Sequence, residues 1–326
     1  MKEILNHLFE YKTLSKEQAK EILTNLAQGK YNNSQVAAFM TVYLMRNITV
    51  NELAGFRDAM LELCLPVKFD HDVIDLCGTG GDGKNTFNIS TLSSFVTAGA
   101  GVKVAKHGNY GVSSVSGSSN VLEYFGYKFT NNTDELRKKM DEANICFLHA
   151  PLFHPAMKNV APIRRELGIK TFFNMLGPIV NPSKPKYQLV GVFSLELQRL
   201  YAYLYQNTYK HYAIIHALDG YDEVSLTGDI KSVTHQGEQL LTPSDLGLPK
   251  LTQEEISGGE SVEDAATIFK NVLEGNSTEA QRNVVLANST LAIACAKNIS
   301  NTEALELAKD SLDSGRAKAA LKKLID

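Results

Sequence analysis

The sequence predicts an α/β protein in which a small N-terminal helical domain precedes a larger α/β domain with a mostly parallel central sheet. Apolar residues recur at helical spacing through the first 64 residues. From residue 71 onward, short apolar runs alternate with helical segments, which is the pattern of βαβ units. At 326 residues the chain has room for about two domains, which we place at 1–65 and 70–326.

Residues 1 to about 64 are expected to be helical throughout, and three of the helices have recognisable starts. Ser15 caps the first amphipathic helix, and residues 49–52 (TVNE) resemble a capping box at the start of the third. Between them, Asn33 or Ser34 opens a helix that is apolar on nearly every side, which suggests burial. Residues from about 155 to 180 look helical rather than strand-forming, and we expect them to join this domain.

The α/β domain is predicted from alternating strands and helices. The predicted strands are residues 72–77, 102–105, 145–149, 188–193 and 212–217. The predicted helices are residues 89–98, 133–144, 195–209 and 261–273, followed by two C-terminal helices.

Composition excludes several classes of protein. Basic and acidic residues number 33 and 36, a formal charge of -3, whereas a polyanion-binding surface usually needs a basic excess. The four cysteines form no CxxC pair, which argues against a zinc site and favours buried thiols in a reducing compartment. No leader or membrane-spanning segment is recognisable. We therefore expect a cytoplasmic protein with no nucleic-acid or membrane partner.

Glycine is concentrated in residues 78–83 (GTGGDG), directly after the first predicted strand. Such a loop lets backbone N–H groups approach an anion closely, and the helix that begins near residues 88–91 presents its N-terminus to the same place. The loop lacks the GKS or GKT ending of a Walker A motif. It also lacks the acidic ribose residue that accompanies GxGxxG. The alternative is a tight turn without a ligand.

A lysine and a serine-rich segment follow the second predicted strand, which ends in residues 106–109 (KHGN). Because parallel strands end at one edge of a sheet, Lys106 and the glycine loop should converge where α/β proteins bind ligands. Lysine supplies a point charge for phosphate, and serines supply hydroxyl donors. The alternative for Lys106 alone is a solvated strand end.

Two charged pairs complete the candidate chemistry. Asp222 and Glu223 could hold Mg²⁺ against a polyphosphate if they face the same edge, although an acidic pair in a turn is usually solvated. Arg164 and Arg165 are either a surface pair or a source of a guanidinium for a carboxylate substrate. No Ser-His-Asp set and no activated cysteine is apparent. The residues alone therefore predict a Mg²⁺-assisted, polyphosphate-binding α/β protein.

The combination of motifs is similar to one known family. Residues 78–82 (GTGGD), 88–91 (NIST), 106–109 (KHGN) and the segment 154–182 with its FNMLGPIVNP ending resemble anthranilate phosphoribosyltransferases over nearly the whole chain. The resemblance implies a pentosyltransferase that moves the phosphoribosyl group of phosphoribosyl pyrophosphate (PRPP) to the amine of anthranilate. The products would be N-(5-phosphoribosyl)anthranilate and pyrophosphate, the second step of tryptophan biosynthesis from chorismate.

The resemblance also implies roles for individual residues. Its catalytic positions correspond to Lys106, Asn109 and Arg164. Mg²⁺, with two ions per subunit, would be held by Ser90, Asp222 and Glu223. Anthranilate would meet Asn109 and Arg164, with His107, His154 and Pro178 nearby. The pyrophosphate and ribose would be surrounded by Gly78, Gly81, Asp82, Thr86, Asn88, Ile89, Ser90, Thr91, Lys106, His107, Gly108, Asn109, Tyr110, Gly111, Val112, Ser113, Ser114 and Ser118.

Family resemblance further implies a homodimer and, in some organisms, association with anthranilate synthase. Tyr110 departs from the pattern, since the family usually has arginine after KHGN.

Pyrimidine-nucleoside phosphorylases share the architecture, but they are longer and their second motif begins Lys-His-Ser. A non-catalytic, nucleic-acid-binding relative is the other alternative, and it should carry a basic groove and lack Asp222 and Glu223.

Overall fold

The computed structural model describes residues 1–111, 115–208 and 210–326, and the chain divides into two compact units. The helical unit comprises Met1–Val67 and Ala150–Pro182. The α/β unit comprises Lys68–His149 and Ser183–Asp326. Segment 155–180, which the sequence predicts to be non-strand, thus packs with the N-terminal helices.

Fourteen α-helices and seven strands lie within the described residues. The helices are α1 Lys2–Phe9, α2 Lys16–Ala27, α3 Asn33–Met45, α4 Val50–Leu63, α5 Ile89–Gly99, α6 Ser118–Tyr124, α7 Thr133–Ala143, α8 Ala150–Phe153, α9 Ala161–Leu167, α10 Leu195–Gln206, α11 Val262–Glu274, α12 Glu279–Lys297, α13 Asn301–Asp313 and α14 Arg316–Ile325. The strands are β1 Ile74–Gly78, β2 Val104–Gly108, β3 Ile145–His149, β4 Tyr187–Gly191, β5 His211–Ala217, β6 Ile230–Thr234 and β7 Gly237–Leu241. No helix in the described ranges is long and apolar enough to cross a membrane.

Aromatic packing joins the two segments of the helical unit. Phe172, from a 3₁₀ turn at Phe172–Met175, stacks on Phe56 of α4 with ring centroids 4.5 Å apart. It also meets Tyr43 of α3 edge-on at 5.1 Å. Such contacts between large buried rings add to the free energy gained by burying apolar area. The later segment therefore completes a core that α3 and α4 begin.

A buried ion pair at the start of α4 stabilises the helical unit. Glu52, fully buried, completes the predicted capping box with Thr49 and accepts hydrogen bonds from Arg46 Nη1 at 3.0 Å and the Leu14 N–H at 3.0 Å. Burial opposes ionisation of Glu52, but the hydrogen bonds from Arg46 and the two backbone N–H groups outweigh it, so its pKa lies below the ordinary value.

Replacing Glu52 with Gln should lower the free energy of unfolding by about 3 kcal/mol at pH 7, because Arg46 keeps a buried charge without its counter-ion. Since the pKa of Glu52 is lower in the folded chain, this stabilisation is present above the unfolded pKa of about 4.3 and is lost as the pH falls through the folded pKa. Thermal unfolding of wild type and Glu52→Gln should differ strongly at pH 7, and the difference should begin to shrink only below about pH 4.3 and disappear as the pH falls below the folded pKa. A difference independent of pH, or an equal loss in exposed Glu62→Gln, would contradict this assignment.

The α/β unit is built on one sheet of the described residues, with strand order β3-β2-β1-β4-β5-β6-β7. The first five strands are mutually parallel, and β6 and β7 add an antiparallel hairpin at one edge. This confirms the predicted α/β class and its mostly parallel sheet. The chain proceeds from β1 to β3 on one side and resumes at β4 on the other. Strands β1 and β4 therefore flank the topological switch point, where such sheets bind ligands.

The structure corrects several sequence-based predictions of elements. Strand β2 runs Val104–Gly108 rather than 102–105, so Lys106 lies inside the strand and not beyond its end. Three helices rather than two follow α11, because Asn298 and Gly315, both with positive φ, separate α12, α13 and α14. The β6–β7 hairpin was not predicted, since β7 is largely exposed and lacks a clear apolar alternation. The four cysteines are free thiols.

Candidate active site

Two glycines at the carboxyl ends of β1 and β4 shape the switch point. Gly78 and Gly191 are paired in register. A Cβ on Gly78 would lie 2.5 Å from Asp222 Oδ2, and one on Gly191 would lie 1.6 Å from the Asp222 carbonyl oxygen. Both positions must therefore be glycine for the segment carrying Asp222 to lie against the sheet. Gly78 was a predicted site residue; Gly191 was not, because its partner is distant in sequence.

The glycine-rich loop after β1 hydrogen bonds to the Asp222 carboxylate. The Gly80 N–H donates a hydrogen bond of 2.6 Å to Asp222 Oδ2. Gly80 and Gly81 have φ of +67° and +79°, a left-handed conformation that directs consecutive N–H groups to one side. Asp82 lies near enough to raise the pKa of Asp222 through repulsion between the two carboxylates. The loop and the acidic pair thus meet at one edge of the sheet.

Asp222 and Glu223 form an acidic pair in which Asp222 is buried and Glu223 is partly buried. Burial, with the repulsion of Asp82, raises the pKa of Asp222 to about 7. Burial and the adjacent Asp222 raise the pKa of Glu223, which the positive charge of Lys106 and the N–H of Ser90 partly offset. Because Ser90 is in the first turn of α5, the positive end of that helix faces the pair.

The donor set fits Mg²⁺. Ser90, Asp222 and Glu223 line a cavity of about 10 Å³ together with Asn288 of α12. All the predicted ligands are oxygen atoms, and two carboxylates with a hydroxyl suit an ion that takes its remaining ligands from water and substrate phosphate. No cluster of three or more His, Cys, Asp or Glu suited to a metal occurs within the described ranges. A divalent cation would relieve the repulsion that raises the pKa of both carboxyls.

Lys106 is a buried residue of β2, 2% exposed, rather than the strand-end cation that the sequence suggested. Its Nζ donates to the Leu76 carbonyl of β1 at 2.6 Å. Burial lowers the pKa of Lys106, and the charges of Asp75 and Glu223 act against that shift. Asp75, also fully buried, accepts a hydrogen bond from the His107 N–H at 3.1 Å. Asp75 was not among the predicted site residues, although a carboxylate inside an apolar strand is a sequence signal of a buried functional group.

The loop after β2 is fixed at both ends. The Asn109 carbonyl accepts hydrogen bonds from the Ser119 N–H at 3.1 Å and from Ser118 Oγ at 3.2 Å. Asn120 Oδ1 accepts from the N–H groups of Gly111 and Gly117, at 2.9 and 3.0 Å. These bonds close the loop that carries Asn109 at the sheet edge. The predicted residues Val112, Ser113 and Ser114 lie outside the described residues.

The other predicted phosphate-loop residues lie around α5. Asn88, the residue before α5, donates from Nδ2 to the Ser116 carbonyl at 2.9 Å, which links α5 to the β2–α6 loop. Thr86 forms an isolated antiparallel bridge with Ser257. Gly108 ends β2. The side chains of Ile89 and Thr91 are almost fully buried.

Comparisons with known proteins agree with this architecture. The model of the glycosyl transferase family helical bundle domain matches residues 2–64, and that of the a/b domain matches residues 70–318. A protein of Christiangramia forsetii named anthranilate phosphoribosyltransferase is 62% identical over 99% of this chain and 98% of its own. One of Cytophaga hutchinsonii with the same name is 58% identical over the full length of both. The chain belongs to the anthranilate phosphoribosyltransferase family.

Solved structures of anthranilate phosphoribosyltransferases share the fold. The crystal structure of the enzyme from Thermus thermophilus superposes with a TM-score of 0.92 at 32% identity and covers 98% of both chains. The Saccharomyces cerevisiae enzyme in complex with PRPP and Mg has a TM-score of 0.92 at 28% identity and covers 99% of this chain and 96% of its own. The family predicted from the motifs is confirmed.

Tyr110 directly follows the KHGN motif, and its side chain packs against neighbouring residues of the α/β unit. Its ring meets His149 edge-on, with centroids 5.1 Å apart, and its hydroxyl donates to Glu123 Oε1 at 3.3 Å. His149 Nδ1 is in turn 2.9 Å from Ser119 Oγ of α6. An aromatic side chain with a bonded hydroxyl therefore anchors this part of the loop, with no cation at position 110.

The remaining predicted residues belong to the helical unit. The Arg164 guanidinium lies over the ring of Phe173, 5.2 Å from its centroid, and burial lowers the pKa of Arg164. His154 is 5% exposed, and Pro178 is buried in the 3₁₀ turn Gly177–Ile179. Because Phe173 holds one face of the guanidinium, the arginine is pre-oriented for an anionic partner.

Proposed function

We propose that this protein transfers the phosphoribosyl group of PRPP to the amine of anthranilate, releasing pyrophosphate. The observation that carries the proposal is the acidic pair Asp222–Glu223, buried and partly buried, whose Asp222 carboxylate accepts from the glycine-rich loop at the β1–β4 switch point in a chain of this family. Its product, N-(5-phosphoribosyl)anthranilate, is the second intermediate of tryptophan biosynthesis from chorismate. Loss of anthranilate fluorescence in the presence of PRPP and Mg²⁺ tests the proposal.

Stabilising the leaving group is the main task at the sheet edge. Cleavage of the bond between the anomeric carbon and pyrophosphate leaves positive charge on the ribose and negative charge on pyrophosphate. N–H groups of the glycine loop beyond Thr79 and Gly80, which already donate to Gly191 and Asp222, would donate to the departing oxygens. Lys106, held by the Leu76 carbonyl, would add a buried positive charge on β2. Ser90, Asp222 and Glu223 would hold Mg²⁺, two ions per subunit in this proposal, and the metal would neutralise negative charge on the pyrophosphate.

Orientation of the nucleophile falls to Asn109 and Arg164. The neutral amine of anthranilate attacks the anomeric carbon through its lone pair as the bond to pyrophosphate breaks, and the proton lost from the new ammonium goes to pyrophosphate or water, so positioning contributes more than a general base. Arg164 binds the carboxylate of anthranilate through its guanidinium fork, which matches a carboxylate in geometry. His154 and Pro178, which belong to the same unit as Arg164, would contact the aromatic ring.

Arg164→Ala should raise the KM for anthranilate by about 10- to 100-fold, as expected when a charged hydrogen bond of about 1.5–3 kcal/mol is lost, while the KM for PRPP changes little. The exposed neighbour Arg165→Ala is the matched control and should leave both KM values unchanged. Steady-state kinetics with each substrate varied at saturation of the other measures the split. Equal increases in the two KM values would contradict the assigned role of Arg164.

The assembly and location follow from the same proposal. We place the enzyme in the cytoplasm, where its small-molecule substrates are made. We propose a homodimer and, in some organisms, association with anthranilate synthase, whose product is the acceptor substrate. Neither a nucleic acid nor a membrane is a proposed partner, in keeping with the net charge of -3.

A further inference from the structure

A single side chain of α12 holds the backbone directly after the acidic pair. Asn288 is 2% exposed. Its Oδ1 accepts a hydrogen bond from the Val224 N–H at 3.0 Å, and its Nδ2 donates to the Val224 carbonyl at 2.9 Å. Nδ2 also donates to the Val284 carbonyl, one helical turn earlier, at 2.8 Å. The Asn288 amide therefore hydrogen bonds to both the N–H and the carbonyl of Val224. Its bond to the Val284 carbonyl fixes the amide on α12.

Helix α12 is hydrogen bonded to α5, the helix whose first turn lies near Glu223. Ser93 Oγ of α5 donates to the Val285 carbonyl of α12 at 3.2 Å. One turn earlier in α5, Ser90 lines the same cavity as Glu223. Asn288 thus holds the backbone next to Glu223, and the bond through Ser93 fixes α12 relative to α5, whose first turn lines the same cavity as the acidic pair.

We infer that Asn288 is a positioning residue that sets the geometry of the Asp222–Glu223 metal ligands. The inference rests on the proposed function of that pair. Residues 221–229 form neither helix nor strand, so no regular ladder fixes the direction of the two carboxylates. Mg²⁺ demands near-ideal octahedral geometry, and a ligand that can rotate binds it less well. Outer residues that orient metal ligands typically change metal affinity by about 10- to 100-fold when they are replaced.

Direct titration with Mn²⁺, followed by the electron paramagnetic resonance of the free ion in the presence of PRPP, measures the effect without requiring turnover. Asn288→Ala should weaken Mn²⁺ binding by at least about 10-fold. Asn288→Leu, which keeps the side-chain volume, should do the same, so the loss is not due to a cavity. Thr290→Val is the matched control: Thr290 is equally buried in α12, and its hydroxyl has no hydrogen-bond partner among the described residues.

Steady-state kinetics of the Asn288 variants separates an effect on metal-ligand geometry from a general loss of active-site structure. At saturating Mg²⁺ the KM for anthranilate should be unchanged in the Asn288 variants, whereas the Mg²⁺ concentration for half-maximal rate should rise in parallel with the Mn²⁺ result. Ser93→Ala, which loosens the support without touching Asn288, should give a smaller rise in the same direction.

Three outcomes overturn the inference: wild-type Mn²⁺ affinity in folded Asn288→Ala or Asn288→Leu, an equal weakening in Thr290→Val, or wild-type affinity in Ser93→Ala when the Asn288 variants fail to fold. Folding is checked by circular dichroism. Failure of the proposed function has a different signature, because the wild-type protein would then show neither PRPP-dependent Mn²⁺ binding nor metal-dependent turnover.

Discussion

Replacing Asp222 with Asn together with Glu223 with Gln is expected to lower kcat/KM by about 100- to 1000-fold, the usual cost of removing charge stabilisation from a transition state. The Mg²⁺ concentration for half-maximal rate should rise as well, because neutral amides bind a hard divalent cation weakly. The thermal midpoint should not fall, since the change removes two carboxylates whose pKa values burial has raised. Mg²⁺ titrations of the initial rate measure the effect.

The double variant Asp134→Asn with Glu135→Gln is its matched control. These two residues are also adjacent in sequence, but they are exposed in the first turn of α7. They should have no effect on the Mg²⁺ titration. If Asp222→Asn with Glu223→Gln left the Mg²⁺ titration unchanged, the acidic pair would not be the metal ligand.

Gly191→Ala is expected to have the second large effect, a loss of kcat/KM of about 100-fold or more, of the size found when one transition-state-stabilising group is removed. The new Cβ would lie 1.6 Å from the Asp222 carbonyl oxygen, so the segment carrying Asp222 must move away from the sheet. Overpacking of this kind costs about 1–3 kcal/mol of stability, and the thermal midpoint should fall accordingly. Steady-state kinetics, Mg²⁺ titration and thermal unfolding of the same preparation measure the three effects.

Val190→Ala is the control that separates displacement of the Asp222 segment from a general loss of protein stability. Val190 is fully buried in the same strand, and its side chain lies on the opposite face of the sheet from the Cβ that Gly191→Ala would add. Its truncation should lower the thermal midpoint by a similar or larger amount, yet leave the Mg²⁺ requirement unchanged. If Gly191→Ala kept the wild-type Mg²⁺ titration, close approach of Asp222 to β4 would not matter for activity.

Features decided by neighbouring residues could be predicted from the sequence. The predicted cap at Ser15 and the predicted capping box at Thr49 both form, because each depends on residues three positions apart, and Ser15 also completes a capping box. The glycine loop between β1 and α5 was also predictable, since a strand, a glycine cluster and a helix follow one another directly. Parallel pairing of β1 and β2 then followed from the βαβ rule.

Features that depend on distant pairs could not be predicted in this way. Gly191 looks like an ordinary strand end until Asp222 is placed against it, 31 residues later in the chain. Asn288 interrupts an apolar helix and suggests only a buried polar residue, because its partner Val224 is 64 positions away. Lys106 was expected at a strand end, since a buried lysine is rare without partners such as the Leu76 carbonyl.

Anthranilate fluorescence is the most direct test of the proposed reaction. Purified protein mixed with anthranilate, PRPP and Mg²⁺ should cause a steady loss of fluorescence as the amine becomes ribosylated. The loss should stop when PRPP or Mg²⁺ is omitted, and one pyrophosphate should be released for each anthranilate consumed. Fluorescence that stays constant with folded protein, while a known anthranilate phosphoribosyltransferase is active under the same conditions, would contradict the proposed function.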